Sequence, residues 1–370
     1  MSVPRRVGVI GIAIAIIAAA GLWSAWPAAQ SVEKPAAATS LSVLSGPFLA
    51  TYDFLTPELG WSLVIDYSAF RSRAWMFKTV DGGAHWDREY FTRALGDRIY
   101  LHFFDALHGF AYTGYPFRTV DGGVHWLTID VPGSRPYVTF SSPTQGWAEA
   151  FDARGPHMYG TVDAGKHWAQ LGTVPAGSAV LQPSSEIHSS PFREDCEGWL
   201  GATALGRPAV FLTTDCGQSW QSIAIAHLGG PQDPNARFAT SVRLVSDGGV
   251  AVFFGEGMLQ GVISYDTGGS WQGLGLPAGI STSGALTLLD SAHWWVFDEG
   301  LIYKTDDAGS TWQETVPVGL PRGMSFQEAR AIDREHAWLS VTSSSGLDQQ
   351  SLAVTSDGGG HWELVSEPLP

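Results

Sequence analysis

The stretch "RTVDGGVHW", Arg118 to Trp126, decides how this chain folds, because its octapeptide "TVDGGVHW" at 119–126 is one of seven. The others are "TVDGGAHW" at 79–86, "TVDAGKHW" at 161–168, "TTDCGQSW" at 213–220, "SYDTGGSW" at 264–271, "TDDAGSTW" at 305–312 and "TSDGGGHW" at 355–362. Their acids are Asp81, Asp121, Asp163, Asp215, Asp266, Asp307 and Asp357, spaced 40, 42, 52, 51, 41 and 50 residues apart. That is the length of one four-stranded propeller blade. We therefore expect an all-β fold, a seven-bladed β-propeller of four-stranded antiparallel blades, over residues 44–370.

Within the octapeptide, three places never vary. The third is the Asp. The fifth is Gly: Gly83, Gly123, Gly165, Gly217, Gly268, Gly309 and Gly359. The eighth is Trp: Trp86, Trp126, Trp168, Trp220, Trp271, Trp312 and Trp362. A short carboxylate in a turn accepts main-chain N–H bonds, so the Asp is read as a turn acceptor. The invariant Gly is read as a position needing positive φ, and the Trp as an apolar wedge between blades. The fourth place takes Gly, Ala, Cys or Thr and is expected not to need positive φ. Four copies carry His at the seventh place, namely His85, His125, His167 and His361. One His per blade cannot converge on a metal ion, so these are read as solvated bystanders.

Each copy is preceded by a turn residue and an apolar strand: "LGWSLV" at 59–64, "HGFAYT" at 108–113, "QGWAEA" at 145–150 and "EGWLGA" at 197–202. Weaker forms are "GGVAVFF" at 248–254, "AHWWVF" at 292–297 and "EHAWLS" at 335–340. Each unit reads as strand, turn, strand, hairpin with the octapeptide at its tip, strand. "SLSVLSGPF" at 40–48 is a candidate latch from the start of the chain to the last blade.

Composition agrees with this architecture. Gly (44) and Trp (16) are abundant and charged residues few (15%), which favours strands and tight turns. The net charge of -15 argues against nucleic acid, whose phosphates need clustered Lys and Arg. Residues 7–26 carry no charge. At about 1.5 Å per residue such a helix spans a bilayer core. The chain is thus expected to begin with an N-terminal hydrophobic helix, 1–26, followed by a flexible linker, 27–43. The sequence after the core, Trp26, Pro27, Ala28, Ala29, fits an A-x-A-like cleavage site poorly, which favours a signal anchor over a cleaved signal peptide. Arg5 and Arg6 before the core place the propeller outside the cytoplasm, anchored to the membrane or, after cleavage, secreted or periplasmic.

The S/T-x-D-x-G-x-x-W pattern resembles the Asp box, or BNR repeat, of sialidases, xyloglucan-cleaving glycosidases and sortilin-type receptors. The fuller unit, with "GW" before the box, is most similar to the photosystem II stability/assembly factor family and its bacterial relatives. The resemblance spans roughly residues 45–366. It implies a seven-bladed propeller held on the outer face of a membrane and assisting a membrane complex. It implies little about chemistry, because such propellers carry unrelated activities. Sialidases add an arginine triad and an Arg-Ile-Pro segment on six blades; here there are seven boxes and no Arg-Ile-Pro.

A glycosidase needs two carboxylates at a set separation. Acids that could face the channel or its rim are Asp53, Asp66, Asp105, Glu149, Asp152, Asp195, Glu256, Asp298 and Glu299, and no spacing singles out a pair. Neither G-x-S-x-G nor H-E-x-x-H occurs, and no metal or cofactor motif stands out. Tyr115, Phe117, Trp294 and Trp295 are aromatics that could stack on sugar rings. The reading is a non-catalytic propeller, membrane-tethered or exported, acting as a scaffold for a protein or membrane complex. The alternatives are an exported sialidase-like glycoside hydrolase and a carbohydrate-binding receptor domain.

Cys196 lies just before the "EGW" strand and Cys216 lies in the fourth box. Two neighbouring antiparallel strands between them bring both to one end of the blade, and an exported domain meets oxidising conditions. A Cys196–Cys216 disulfide is therefore expected. Thiol titration of the exported, denatured protein should find no free thiol before reduction and two after; two free thiols without reductant would contradict it.

Overall fold

In a computed structural model, the chain forms seven antiparallel sheets in sequence order. The structure describes residues 44–369 except 47, 67, 69–72, 94–98, 154, 173–191, 194, 205–206, 226–238, 246, 256, 283, 321–323 and 344–348. The expected N-terminal helix and linker lie outside the described residues. Among those described, no helix is long and apolar enough to cross a membrane.

Each sheet is a meander whose successive strands pair as neighbours. Blades 1 to 7 occupy residues 48–93, 100–128, 134–170, 192–223, 239–273, 285–315 and 324–365. Blade 4 shows three strands, with the single bridge Phe192–Gly198 where the first strand of the others lies. First strands touch between blades 1 and 2 and between blades 6 and 7, which places them toward the axis. In blades 1 to 3 an aromatic ends the first strand and lies over the glycine that opens the second. A Cβ on Gly60 would meet Phe54 at 2.5 Å and one on Gly109 would meet Phe103 at 2.6 Å. That close approach is what the glycine of "GW" and "GF" supplies.

Both ends of the propeller join blade 7. Leu44 and Ser45 pair with Gln350 and Gln349, on the strand that also pairs with Glu363–Val365. The Gln350 side chain accepts from the Ala50 amide at 3.1 Å and donates to the Ala50 carbonyl at 2.9 Å. The Trp86 indole donates to Ser366 O at 2.8 Å, and the Tyr52 hydroxyl donates to buried Glu367.

All seven octapeptides form one turn with the same bonds. The first-place hydroxyl donates to Asp Oδ1 at 2.7–3.0 Å. The same oxygen accepts from the fifth-place Gly amide at 2.8–3.1 Å. Asp Oδ1 also accepts from the seventh-place amide at 2.7–3.0 Å. Asp Oδ2 is bonded by the seventh side chain at 2.6–2.7 Å, whether His Nδ1 or a Ser or Thr hydroxyl. The histidines are therefore not bystanders. They are exposed, yet they act as donors interchangeable with Ser and Thr. A carboxylate only accepts, so Nδ1 carries the proton.

The fourth place also departs from expectation. Every copy there has positive φ, including Ala164 (63°), Cys216 (60°), Thr267 (57°) and Ala308 (58°). These values lie in the small left-handed basin that side chains tolerate at some cost. The conformation aims the fourth amide at the turn between the first two strands. Gly82 donates to Glu58 O at 2.9 Å, Gly122 to Leu107 O at 2.8 Å and Ala164 to Thr144 O at 2.8 Å. In blade 4 the residues so pinned are Cys216 and Cys196 themselves, at 3.2 Å, and their sulfurs are bonded. The fifth place runs further out, from 78° at Gly165 to 100° at Gly123.

The fifth glycine also carries the contact between blades. A Cβ on Gly165 would lie 2.6 Å from Ile129, one on Gly268 2.8 Å from Ile223, and one on Gly359 3.0 Å from Trp295, each on the preceding blade. Tryptophans of the "GW" strands cross the same seams: Trp61 donates to Gly122 O at 2.8 Å and Trp147 to Cys216 O at 3.2 Å. The box Trp joins the cluster at the same seam, as Trp126 does with Trp61 and Leu63 of blade 1, and Trp220 with Trp147 and Met158 of blade 3.

The two glycine places should respond oppositely to substitution. Gly165→Ala should lower unfolding free energy by about 2–4 kcal/mol, from backbone strain plus overlap with Ile129. Ala164→Gly, which relieves a left-handed alanine, should be neutral or stabilising by up to about 1 kcal/mol. Urea unfolding of both variants reads the difference; equal effects would contradict the assignment.

Candidate functional site

The meander sets two ends. The box turns and the turns between first and second strands share one end, and the turns between second and third strands form the other. The eight described acids nominated from sequence do not gather at one place. Asp105 and Asp195 do not face the channel: they sit in first turns at the box end, accepting from the amides two residues on, at 2.7 Å and 3.2 Å. Such Asx turns need the acid where it is. Asp66 is held at the other end by Ser68 and by Arg73 at 2.8 Å. The Ser68 hydroxyl and then the Arg73 guanidinium keep its carboxyl below the usual range. Asp152 pairs with His157 at 2.9 Å. Asp298 accepts from the Ser281 amide and hydroxyl, both at 2.9 Å. Glu299 is exposed at a turn tip with φ 46°. Glu256 lies outside the described residues.

One cluster does assemble at the axis, where blades 7, 1 and 2 meet. Asp53, 1% exposed, accepts from the Phe103 amide of blade 2 and from the Arg330 guanidinium of blade 7. His102 Nδ1 stands 3.5 Å from the same carboxylate. Thr51 donates to Glu328 at 2.9 Å. Enclosure pushes the Glu328 carboxyl up to about 8, and burial pushes Glu367 up to about 8 as well. Sequence reasoning named Asp53 but missed Arg330, Glu328 and Glu367, since residues some 280 to 315 apart along the chain meet only when the ring closes.

Glu149 is different. It lies on the second strand of blade 3, buried at 5% exposure, and none of the described hydrogen bonds or ion pairs reaches it. Burial alone pushes its carboxyl up to about 7.

Two clefts of similar size open elsewhere. One, of about 350 Å³, lies between blades 6 and 7 at the end opposite the boxes, lined by Asp298, Glu299, Gln327 and Glu328. The other, of about 320 Å³, lies between blades 3 and 4 at the box end, lined by Trp147, Val162, Trp168, Leu171 and Cys216. Val162 there is 78% exposed, and Val80 and Val120 repeat it on blades 1 and 2 at 67% and 51%. The aromatics nominated for sugar stacking are mostly unavailable. Phe117, Trp294 and Trp295 are buried and Tyr115 alone is exposed, because their strands face both neighbouring blades.

No known family profile matches the chain, and no curated protein matches it. Solved structures share its fold. A structure described as YCF48 bound to D1 peptide is 17% identical, with a TM-score of 0.50, covering 86% of this chain and 99% of that one. YCF48 from Cyanidioschyzon merolae is 17% identical, with a TM-score of 0.52, covering 87% and 97%. A GH74 xyloglucanase from Xanthomonas campestris is 14% identical, with a TM-score of 0.51, covering 84% of this chain and 59% of that one. At these identities the likeness is one of fold.

The buried carboxyls predict a pH dependence. An acid raised from 4.5 to about 8 on folding, as at Glu367, favours its protonated form in the native state. Its stabilisation is full below about 4.5 and lost as pH rises through about 8. The melting temperature should fall over that window, and Glu367→Gln should flatten the fall. An unchanged slope in the variant would contradict this.

Proposed function

We propose that this protein is a non-catalytic propeller that docks a partner protein and so serves as a scaffold in assembling or stabilising a membrane complex. The observation that carries this reading is the commitment of its acids. Asp53, Glu328 and Glu367 tie the first blade to the last, while Asp66, Asp105 and Asp298 hold turns. A glycosidase keeps two carboxyls free on either side of a scissile bond. Here the axial carboxyls are bonded across the blades that must stay closed.

Two further points support it. The box end presents apolar side chains, Val80, Val120 and Val162, on three consecutive blades, as a docking surface does. A structural neighbour is described as bound to a peptide. The uncharged stretch 7–26 would tether the propeller to the membrane, with the blades outside the cytoplasm.

Site-specific photocrosslinking in cells is the test. A crosslinker at Val120 or Val162 should yield discrete protein adducts in the membrane fraction, while one at exposed Arg88, on the outer strand of blade 1, should not. Purified full-length protein should release no sugar from a broad glycan panel. Sugar release abolished by Glu328→Gln, or the lack of any adduct, would overturn the reading.

A further inference from the structure

The seven blades provide an internal standard for every position. The fourth residue of the second strand is Leu63, Tyr112, Gly201, Phe253, Phe297 and Ser340 in blades 1, 2, 4, 5, 6 and 7. In blade 3 it is Glu149. Six blades form with a neutral residue there, so the architecture does not call for a carboxylate. The position is also costly. A buried carboxyl without a partner loses hydration and gains nothing in return. The other buried acids among the described residues, Asp53, Asp66, Asp298 and Glu367, each have donors. A buried polar group left unmatched in a well-bonded structure needs an explanation.

Its surroundings indicate the ligand chemistry. Glu149 pairs in register with Tyr137 on one side and Met158 on the other. It shares a strand face with Trp147, which stacks on Phe192 of blade 4 at 4.0 Å. Half-buried Tyr137 sets an aromatic residue on the strand beside the carboxylate, and such a ring adds to the attraction of a carboxylate for an organic cation. The nearest charged side chains on the same hairpin, Asp152 and His157, pair with each other at 2.9 Å. Unlike the sealed hydroxyls of Thr139 and Ser141, the unpartnered Glu149 oxygens are not fully enclosed, so they touch solvent although the residue is only 5% exposed. Burial that lifts the carboxyl to about 7 shows how little the protein itself does to stabilise a charge there.

We propose that Glu149 is a recognition site for an organic cation, the ammonium of a lysine or the guanidinium of an arginine carried by the partner protein. The site completes with an incoming positive charge what the chain leaves unpaired. It suits a chain of net charge -15, which draws basic segments by long-range attraction. This inference rests on the partner-docking reading and supplies one specific contact for it.

The test uses the full chain with glutamate carboxyls labelled with carbon-13. The Glu149 resonance is assigned by its loss in Glu149→Gln. The probes are N-acetyl-lysine-methylamide, its arginine counterpart, its norleucine counterpart and potassium chloride at matched ionic strength. The expected result is a saturable shift of the Glu149 signal with lysine or arginine and none with norleucine or potassium. Glu149→Gln should melt at the same temperature or higher, and should weaken capture of the crosslinked partner at least tenfold. No shift at about 100 mM probe, well above a millimolar Kd, would overturn the proposal. So would an equal response to potassium, or a lower melting temperature for the variant. If photocrosslinking still captures the partner undiminished in Glu149→Gln, docking stands and this contact falls. If no partner is captured at all and the probes also fail, both fall together.

Discussion

The whole ring depends on one carboxylate used seven times. In each box the Asp takes a hydroxyl and a main-chain amide on Oδ1 and a third donor on Oδ2. This closes the hairpin between the third and fourth strands. It also leaves the fourth and fifth residues left-handed, and that backbone shape puts the fourth amide on the first turn of the same blade. The carboxyls are stabilised as anions by the same bonds. In Asp215 the Ser219 hydroxyl, and then its amide, hold the carboxyl down at about 2. The turn therefore survives over a wide pH range, while Glu328 and Glu367, whose carboxyls burial pushes up to about 8, define the alkaline limit of the ring closure.

From that turn the packing between blades follows. The fifth glycine lets the preceding blade approach to where a methyl group would sit, and the space is filled by Ile129, Ile223 or a tryptophan. In blades 1 and 3 the "GW" tryptophan bonds the fourth-place carbonyl of the next blade, as Trp61 does with Gly122 and Trp147 with Cys216. Lys304 repeats the contact from another side chain, donating to Gly358 O at 2.9 Å with its ammonium 4.6 Å over the Trp295 ring. Local turn chemistry and inter-blade packing thus use the same few atoms. This is why the box tolerates change only where a side chain points to solvent.

Blade 3 shows where function separates from this scheme. Its box, its "GW" strand and its packing are those of the other blades, yet it carries Glu149 in a place the others fill with neutral residues. The axial acids behave otherwise. Asp53, Glu328 and Arg330 look like a polar site, but the Arg330–Asp53 and Thr51–Glu328 bonds join one end of the chain to the other. A cluster of ionisable groups at the centre of a ring is first a closure device, and an unpartnered acid between two blades is the stronger mark of a ligand.

The sequence by itself determined the fold and the blade count, because these depend on local geometry repeated at a fixed period. It misjudged the fourth and seventh places of the box. Their tolerance of several side chains hid a shared requirement, a left-handed backbone in one case and a hydrogen-bond donor in the other. Which acids meet, and which stands alone, only the tertiary structure decided. Asp53 and Arg330 are 277 residues apart, and nothing local to either anticipates the other. The isolation of Glu149 is likewise a property of what surrounds it after two blades have packed, and burial, unlike turn geometry, is not written in neighbouring residues.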